Sequence, residues 1–216
     1  MKNFIEKYNV SHETVEQLKI YHSLLIEWQA KFNLVSKSSL QDAVTRHFED
    51  SVQLFSFVPE NAQSLIDFGS GAGFPAMVLA IVAKEKTPYL KVTMVESIKK
   101  KTLYLNEVAK KTSSDVCIIN DRIENLPPKK YDVITSRAMT SLKDLLAYSF
   151  RFCKKNTVCI FPKGKNYSQE LFEAHKLWHF KCDIYPSKVS DEGKILIITN
   201  IAKKKEKNNA KNISCC

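Results

Sequence analysis

Three alternate glycines in the sequence could hold a small ligand; they are Gly69, Gly71 and Gly73. They follow the apolar run Leu65–Phe68, which predicts a buried strand, and a helical pattern begins near Phe74. Glycine permits a tight turn and a close approach of the backbone to a ligand, beside the positive end of the following helix. A plain strand-to-helix turn is the alternative, but it does not require three of the five glycines in the chain.

The spacing of these glycines bears on the kind of ligand. A dinucleotide site has the pattern G-x-G-x-x-G, and Phe74 stands where its third glycine would fall. The observed G-x-G-x-G, with Asp67 two residues ahead, resembles the first motif of Rossmann-like class I methyltransferases. In that family the acidic residue orders the loop and helps hold the methionine end of S-adenosylmethionine, the cofactor that we expect here.

Two further segments favour an adenosine-containing cofactor. The predicted strand Lys91–Val95 ends in Glu96, whose carboxylate could accept hydrogen bonds from both hydroxyls of a ribose. Taken alone, Glu96 could equally be a solvated carboxylate at a strand end. The next predicted strand, Val116–Ile119, leads into the polar turn 120–124, which could flank an adenine.

Two basic residues follow later strands. Arg137 lies in the segment Tyr131–Ala138, and Lys163 comes directly after Phe161-Pro162. Because the carboxyl ends of parallel strands border the ligand crevice, Arg137 is predicted to point into the site and is the candidate catalytic residue. The alternatives are that Arg137 pairs with a carboxylate or reaches solvent, and that Lys163 is a solvated turn lysine.

The sequence lacks the motifs of two other classes of methyltransferase. Amino-group enzymes commonly carry an Asp/Asn-Pro-Pro-aromatic box after the fourth strand, whereas Pro127-Pro128 precedes that strand and is followed by a lysine. Enzymes that methylate carbon 5 of cytosine need a thiol in a Pro-Cys or Thr-Cys pair, and the sequence contains neither. Both classes are therefore disfavoured.

We predict neither a metal site nor a disulfide. The six cysteines are scattered without a C-x-x-C pair, and cytosolic thiols are kept reduced. His175 and His179 lie four residues apart on a predicted helix, but two histidines at this spacing more often form only an exposed helix face.

Alternating strands and helices must position these residues. The predicted strands are Leu65–Phe68, Lys91–Val95, Val116–Ile119, Asp132–Ser136, Thr157–Phe161, Asp183–Tyr185 and Ile195–Thr199. The predicted helices are 11–35, one starting at Ser39, Phe74–Ala83, Lys99–Lys111, Leu142–Phe150 and Ser168–Trp178. Such alternation predicts an α/β fold with a mostly parallel Rossmann-like sheet, and the last two strands would pair as an antiparallel hairpin at its edge.

The chain divides into three predicted parts. Residues 1–60 would form an N-terminal helical extension, residues 61–201 the S-adenosylmethionine-binding core, and residues 202–216 a basic disordered tail. The formal net charge is +10, of which the tail supplies +4 through five lysines and one glutamate. A basic surface favours phosphate-rich partners such as nucleic acid.

No feature of the sequence predicts a membrane protein. No apolar run approaches the roughly 20 residues that cross a bilayer, and the first residues lack the apolar core of a signal peptide. We therefore expect a cytoplasmic protein without a membrane partner, and a monomer.

Taken together, the motifs resemble one family, the bacterial 16S ribosomal RNA guanine-N7 methyltransferases, also called glucose-inhibited division protein B. The match covers about residues 20 to 200, and its most specific parts are the glycine loop with Pro75 and the tetrapeptide Thr135–Ala138. Its other parts are Trp28 to Leu34, Arg46 to Ser51, Glu96 to Lys100, Arg122 with Glu124, and Lys163-Gly164. Two residues depart from the family pattern: Gln29 where asparagine is usual, and Ala76 where glycine is usual.

This resemblance implies methyl transfer from S-adenosylmethionine to N7 of a guanine in 16S ribosomal RNA or the small ribosomal subunit. It implies cofactor contacts at Gly69, Phe74, Ile123, Glu124 and Arg137, and a basic RNA-binding lining that includes Arg122 and Lys163. Guanine N7 has a free lone pair, so the reaction needs positioning rather than a general base. Arg137 or Arg122 could read guanine O6. The alternatives are a class I methyltransferase for another RNA, a small molecule or a protein, and an RNA-binding protein without activity.

Overall fold

The computed structural model of the protein describes residue 1 and residues 4–205. Within this range seven strands form one sheet: β1 Ser64–Phe68, β2 Lys91–Val95, β3 Val116–Ile119, β4 Tyr131–Thr135, β5 Cys153–Lys163, β6 Trp178–Pro186 and β7 Lys194–Lys203. The α-helices of the same range are α1 Phe4–Tyr8, α2 His12–Gln29, α3 Lys37–Leu40, α4 Asp50–Val52, α5 Ala76–Lys86, α6 Lys99–Lys111, α7 Leu142–Phe152 and α8 Tyr167–Leu177. None of the helices described is long and apolar enough to span a membrane.

The sheet confirms the predicted fold class. Its strand order is β3-β2-β1-β4-β5-β7-β6, and the five strands from β3 to β5 run parallel. The predicted hairpin of the last two strands is confirmed, and β7 lies antiparallel between β5 and the outermost strand β6. Since β1 lies at the centre and β4 and β2 flank it, the ends of these three strands meet at one edge.

Helix α5 explains why the N-terminal helix α2 packs against the core of the fold. All eight residues from Ala76 to Ala83 are buried, so this helix is apolar on every side. A helix of this kind has to be covered on both faces. The sheet covers one face, and α2 covers another through its buried stripe of Val15, Leu18, Tyr21 and Leu25. The hydrophobic core is therefore continuous across the predicted boundary at residue 60.

The first predicted helix is shorter than its apolar periodicity suggested. Helix α2 ends at Gln29 instead of residue 35. The Gln29 side chain turns back on the following loop, where Oε1 accepts hydrogen bonds from Leu34 N at 2.9 Å and Val35 N at 3.0 Å, and Nε2 donates to Val35 O at 3.0 Å. These bonds replace the continuing helix, so the residue that departs from the family pattern shapes this loop.

The prediction of a single helix that starts at Ser39 is wrong. Ser36 instead caps the short α3, because its hydroxyl accepts a hydrogen bond from Ser39 N. The chain then forms a π-helical segment Val44–Glu49, the short α4 and a 3-10 helix Gln53–Phe57. Insertions of π-helix re-aim side chains and are frequent at functional sites.

The C-terminal strands are longer than predicted. Strand β7 continues through Lys203, and Lys204 N donates to Leu177 O at 2.9 Å. Residues 202 and 203 therefore belong to the sheet and not to the predicted tail, because they pair with β6 at its first residues. The rest of the predicted tail, from residue 206, lies outside the residues described.

Candidate active site

The glycine loop joins the end of β1 to α5. Its glycines all have positive φ, +65° at Gly69, +57° at Gly71 and +98° at Gly73. Two bonds tie the loop to the neighbouring strand end: Ser70 N donates to Val95 O at 3.0 Å, and Gly71 N donates to the Glu96 carboxylate at 2.8 Å. A Cβ on Gly71 would meet only one atom within 4 Å, the carbonyl oxygen of Gly69 at 3.8 Å. The loop therefore leaves open space beside Gly71.

Gly73 has a different role from the one its motif suggests. A Cβ at this position would collide with the Tyr21 hydroxyl and lie 3.0 Å from Leu105 Cδ2. Tyr21 is fully buried, and its hydroxyl donates to Ala72 O at 2.6 Å. Gly73 is thus required by the packing of α2 against the loop, whereas Gly71 faces open space.

Asp67 lies directly behind the loop and is fully buried. Its Oδ1 accepts a hydrogen bond from the Thr135 hydroxyl at 2.7 Å, and its Oδ2 has no partner among the described residues. Burial raises the pKa of this carboxyl to about 7, although the neighbouring hydroxyls of Thr135 and Ser70 oppose the rise. An acceptor without a partner at this depth suits a positively charged or N–H-bearing ligand group.

Glu96 stands at the end of β2, as predicted, and is 5% exposed. One carboxylate oxygen accepts from Gly71 N, and the other accepts from Ile98 N at 2.8 Å. Asn120, at the end of β3, donates to the backbone oxygen of Glu96 at 2.9 Å. Each carboxylate oxygen has a second lone pair, so Glu96 can hold the loop and also accept bonds from ribose hydroxyls.

Phe74 lies between two aromatic rings. It is stacked on Tyr21 at 5.1 Å between ring centroids and on His47 at 4.9 Å, with interplanar angles of 16° and 21°. The Arg137 guanidinium carbon lies 5.1 Å from the centroid of the same ring. This cluster links α2, the π-helical segment and the end of β4 around the glycine loop.

Arg137 is held by groups on the N-terminal segment. Its Nη1 donates to Arg46 O at 3.0 Å and to Asp50 Oδ2 at 3.1 Å, and its Nη2 lies 2.9 Å from His47 Nδ1. Burial, with a smaller contribution from the nearby arginines, lowers the pKa of His47 to about 4, so the imidazole is neutral and can accept at Nδ1. Arg137 therefore both pairs with a carboxylate and lies in the crevice, two possibilities that the sequence left as alternatives.

Two cavities meet at Arg137. The smaller, of about 420 Å³, is lined by the glycine loop, Phe74 and Glu96. The larger, of about 820 Å³, extends towards Lys163 and the loop 187–193 between β6 and β7. Arg46, Arg137 and Ala138 line both. The geometry therefore allows a cofactor in one cavity and a substrate in the other, in contact across these three residues.

The structure brings together most, but not all, of the predicted site residues. Lys163 lies in the wall of the larger cavity, where its Nζ pairs with Glu170 at 2.7 Å and its side chain is 9% exposed. Arg122 is exposed and lines neither cavity. Ile123 is buried in a hydrophobic cluster with Phe68 and Val95. Glu124 is exposed and accepts a hydrogen bond from the Tyr148 hydroxyl at 2.7 Å, which lowers the Glu124 pKa.

Four residues that complete the site were not predicted from the sequence: Tyr21, Arg46, His47 and Asp50. The last three belong to the run Arg46 to Ser51, which carried part of the family resemblance without an assigned role. Tyr21 had only the signal of a core position on an amphipathic helix. Across the range that the structure covers, no three His, Cys, Asp or Glu side chains are grouped as metal ligands, and the cysteines there are free thiols.

Comparison with known proteins agrees with this arrangement. The family model described as rRNA small subunit methyltransferase G matches residues 14–210. Proteins named ribosomal RNA small subunit methyltransferase G from Ruegeria sp. (strain TM1040) and Paramagnetospirillum magneticum are each 38% identical to this chain. The first match covers 88% of this chain and 91% of the relative, and the second covers 94% and 96%.

A solved structure shows the same fold at lower identity. TYW2 of M. jannaschii in complex with AdoMet has a TM-score of 0.53 and 18% identity, and the match covers 81% of this chain and 78% of that one. This likeness supports the class I methyltransferase fold. On the family match and the relatives together, the chain belongs to the rRNA small subunit methyltransferase G family.

Proposed function

We propose that this chain transfers a methyl group from S-adenosylmethionine to N7 of a guanine in 16S ribosomal RNA. The observation that carries the proposal is the meeting of two cavities at Arg46 and Arg137, one built around the glycine loop and the other open towards the β6–β7 loop. Membership of an rRNA methyltransferase family and a net charge of +10 support an RNA substrate.

The residues of the smaller cavity fit the cofactor. S-adenosylmethionine supplies an electrophilic methyl group on a positively charged sulfur. The open space at Gly71 suits its methionine end, with the unpartnered Oδ2 of Asp67 buried behind the loop, and the Glu96 carboxylate in the cavity wall suits its ribose. Ile123 and Glu124 belong to the polar turn after β3, line neither cavity in this structure, and would contribute at the adenosine end.

The larger cavity would take the guanine. Within the described residues, the Arg46 side chain makes no hydrogen bond or ion pair, so its planar fork is available to read guanine O6. Arg137 has both terminal nitrogens engaged, and it would position Phe74 and the reacting groups at the junction. We therefore assign base reading to Arg46 in preference to Arg137 or the distant Arg122.

The chemistry of the junction favours N7 as the acceptor atom. The two titratable side chains that contact Arg137 are engaged by it: Asp50 Oδ2 pairs with Arg137, and His47 Nδ1 faces the same guanidinium. Guanine N7 takes the methyl group with its free lone pair, so no proton has to leave. An exocyclic amine or a ribose hydroxyl must lose a proton and would need a base. Catalysis would then rest on positioning the two reactants in line.

The RNA around the target base would lie on basic surface near the larger cavity. Lys163 borders this cavity, but its charge is paired with Glu170. Its main contribution would therefore be to the shape of the cavity wall, and its attraction for phosphate would be small. Arg122 lies exposed beyond β3 and would contact the RNA backbone outside the cavity. The target base has to be unstacked to enter, as in other base-modifying enzymes.

The experiment is methyl transfer to purified small ribosomal subunits or their RNA, followed by nucleoside analysis. We expect 7-methylguanosine as the product. Arg46→Lys keeps the charge but removes the two-pronged donor, so kcat/KM for RNA should fall by about 10-fold or more, as for loss of a charge-assisted hydrogen bond. Its affinity for S-adenosylmethionine should change less. A methyl group on an exocyclic amine, a pyrimidine carbon or a ribose hydroxyl would refute the N7 assignment.

A further inference from the structure

Gln53 is a buried polar side chain whose amide is fully engaged. It lies in the 3-10 helix after α4 and is 3% exposed. Its Oε1 accepts a hydrogen bond from Lys188 N at 2.8 Å. Its Nε2 donates to Asp50 Oδ1 at 2.9 Å and lies 3.2 Å from both Asp50 O and Ser187 Oγ. A glutamine in this position bonds to two segments that are far apart in the sequence.

The first of these segments is the loop 187–193 between β6 and β7. The loop is closed by bonds of its own, from Ser187 N to Gly193 O at 3.0 Å and from Gly193 N to Ser190 O at 3.1 Å. Ser187, Ser190 and Gly193 line the larger cavity and not the smaller one. Fixing residues 187 and 188 therefore fixes one wall of the larger cavity.

The second segment leads to the junction of the cavities. Gln53 holds one oxygen of the Asp50 carboxylate, and Arg137 Nη1 holds the other at 3.1 Å. The hydrogen bonds thus run without a break from the cavity loop through Gln53 and Asp50 to Arg137. Gln53 itself lines neither cavity.

We propose that Gln53 is a positioning residue for the RNA substrate. It fixes the position of the β6–β7 loop relative to the Asp50–Arg137 pair. The inference rests on the proposed function to the extent that the larger cavity takes the target base. Since the loop lines the larger cavity alone, whereas Arg137 lines both, loss of Gln53 should weaken use of RNA more than binding of S-adenosylmethionine.

Two variants separate this role from a general contribution to folding. Gln53→Leu removes every bond of the amide. Gln53→Glu keeps an acceptor for Lys188 N but replaces the donor to Asp50 with a second carboxyl. Burial and the adjacent carboxylate raise the pKa of both carboxyls, so at lower pH a shared proton restores the missing donor.

The surroundings and the control are defined by the structure. Charged side chains on the segments that pack against Gln53 are Asp50, Arg137, Lys188, Asp191 and Glu192; His47 is neutral because burial lowers its pKa to about 4. The matched control is Gln17→Glu. Gln17 Nε2 also donates to a carboxylate, that of Glu13 at 3.1 Å, but on the exposed face of α2.

The measurement is steady-state methyl transfer to small-subunit RNA, with calorimetric titration of S-adenosylmethionine and thermal unfolding of each variant. For Gln53→Leu we expect KM for RNA to rise about 3- to 10-fold, the effect of losing ordinary hydrogen bonds. For Gln53→Glu, kcat/KM relative to the unaltered enzyme should fall as pH rises, because the proton shared with Asp50 is then lost. Gln17→Glu should show neither effect.

Three results would overturn the proposal. One is an unchanged KM for RNA in Gln53→Leu. Another is a Gln53→Glu variant whose kcat/KM, relative to the unaltered enzyme, does not change with pH. The third is loss of the folded state of Gln53→Glu at every pH of the series, which would give the side chain a purely structural role. The identity of the methylated atom in the unaltered enzyme is measured independently, so failure of the N7 assignment remains distinguishable from failure of this inference.

Discussion

At the residue scale, Asp67 is a carboxyl whose charge depends strongly on its surroundings. It is fully buried, one of its oxygens has no partner among the residues described, and burial raises its pKa to about 7. The neutral acid is therefore favoured below that pH, and the carboxylate above it. A cationic ligand group placed against Asp67 would favour the carboxylate and lower its pKa.

This predicts a pH dependence of cofactor binding. If Asp67 holds the ammonium group of S-adenosylmethionine, affinity should rise as pH increases from about 6 to about 8, because the carboxylate is the binding form. The stability of the ligand-free protein should change with pH in the opposite direction. Since the folded pKa lies above that of the unfolded chain, the contribution of Asp67 to stability is lost as pH rises from about 4 through about 7.

Calorimetric titration of the cofactor across this range tests the prediction, and Asp67→Asn is the control. The amide cannot ionise, so the variant should bind more weakly at high pH and lose most of the dependence between about pH 6 and 8. His47, with a pKa of about 4, does not titrate in this window. An equally steep pH dependence in Asp67→Asn would contradict the role given to this carboxyl.

The sequence predicted those site residues that follow strands. Glu96 and Arg137 could be placed because each comes directly after an apolar run that had to be a parallel strand. His47, Asp50 and Gln53 could not, because they lie on a π-helical segment and two short helical turns without a regular period. The backbone course of these irregular segments places the three side chains near the site, and no sequence period predicts that course.

At the scale of elements, the central feature is the support that α2 gives to the glycine loop. The Tyr21 hydroxyl donates to Ala72 O, its ring stacks on Phe74, and its position leaves room only for glycine at residue 73. The amphipathic periodicity of α2 predicted that one of its faces would be buried, but it did not predict which element would cover that face. That information lies in long-range packing, since Tyr21 and Ala72 are 51 residues apart.

The two glycines should therefore respond differently to alanine. Gly73→Ala brings a Cβ against the Tyr21 hydroxyl at a φ of +98°, so we expect a loss of roughly 2–4 kcal/mol in the free energy of unfolding. Gly71→Ala adds a Cβ in open space at a φ of +57° and should cost only about 1–2 kcal/mol. Gly71→Ala should nevertheless weaken cofactor binding more strongly.

Urea unfolding of Gly73→Ala, Tyr21→Phe and the double variant checks the cause. Removing the Tyr21 hydroxyl relieves the collision, so the double variant should be more stable than the sum of the single effects predicts. Strictly additive effects would show that the strain in Gly73→Ala comes from the backbone alone.

At the scale of the whole molecule, charge is spread over the folded body. The described residues end at 205, and residues 206–216 carry two lysines and one glutamate, a net charge of only +1 out of +10. Most of the electrostatic attraction to RNA should therefore come from the body and not from this segment.

Deleting residues 206–216 tests this distribution. Loss of two lysines should reduce the slope of log affinity for single-stranded RNA against log salt by at most about 1.4, since each phosphate contact contributes about 0.7. The turnover rate at saturating RNA should not change. Filter binding across a salt series and a methyl-transfer assay measure the two quantities, and a large fall in saturated turnover would show that the segment reaches the active site.

The position of β7 has a consequence for synthesis on the ribosome. Of the described strands it comes last in sequence, yet it lies between β5 and β6 in the sheet. Until residues 194–203 have left the exit tunnel, β5 has an unpaired edge and β6 has no partner strand, and such edges template association between chains. Nascent chains paused before Lys194 are thus the most exposed to aggregation, and premature termination there should yield insoluble fragments, not a smaller working enzyme.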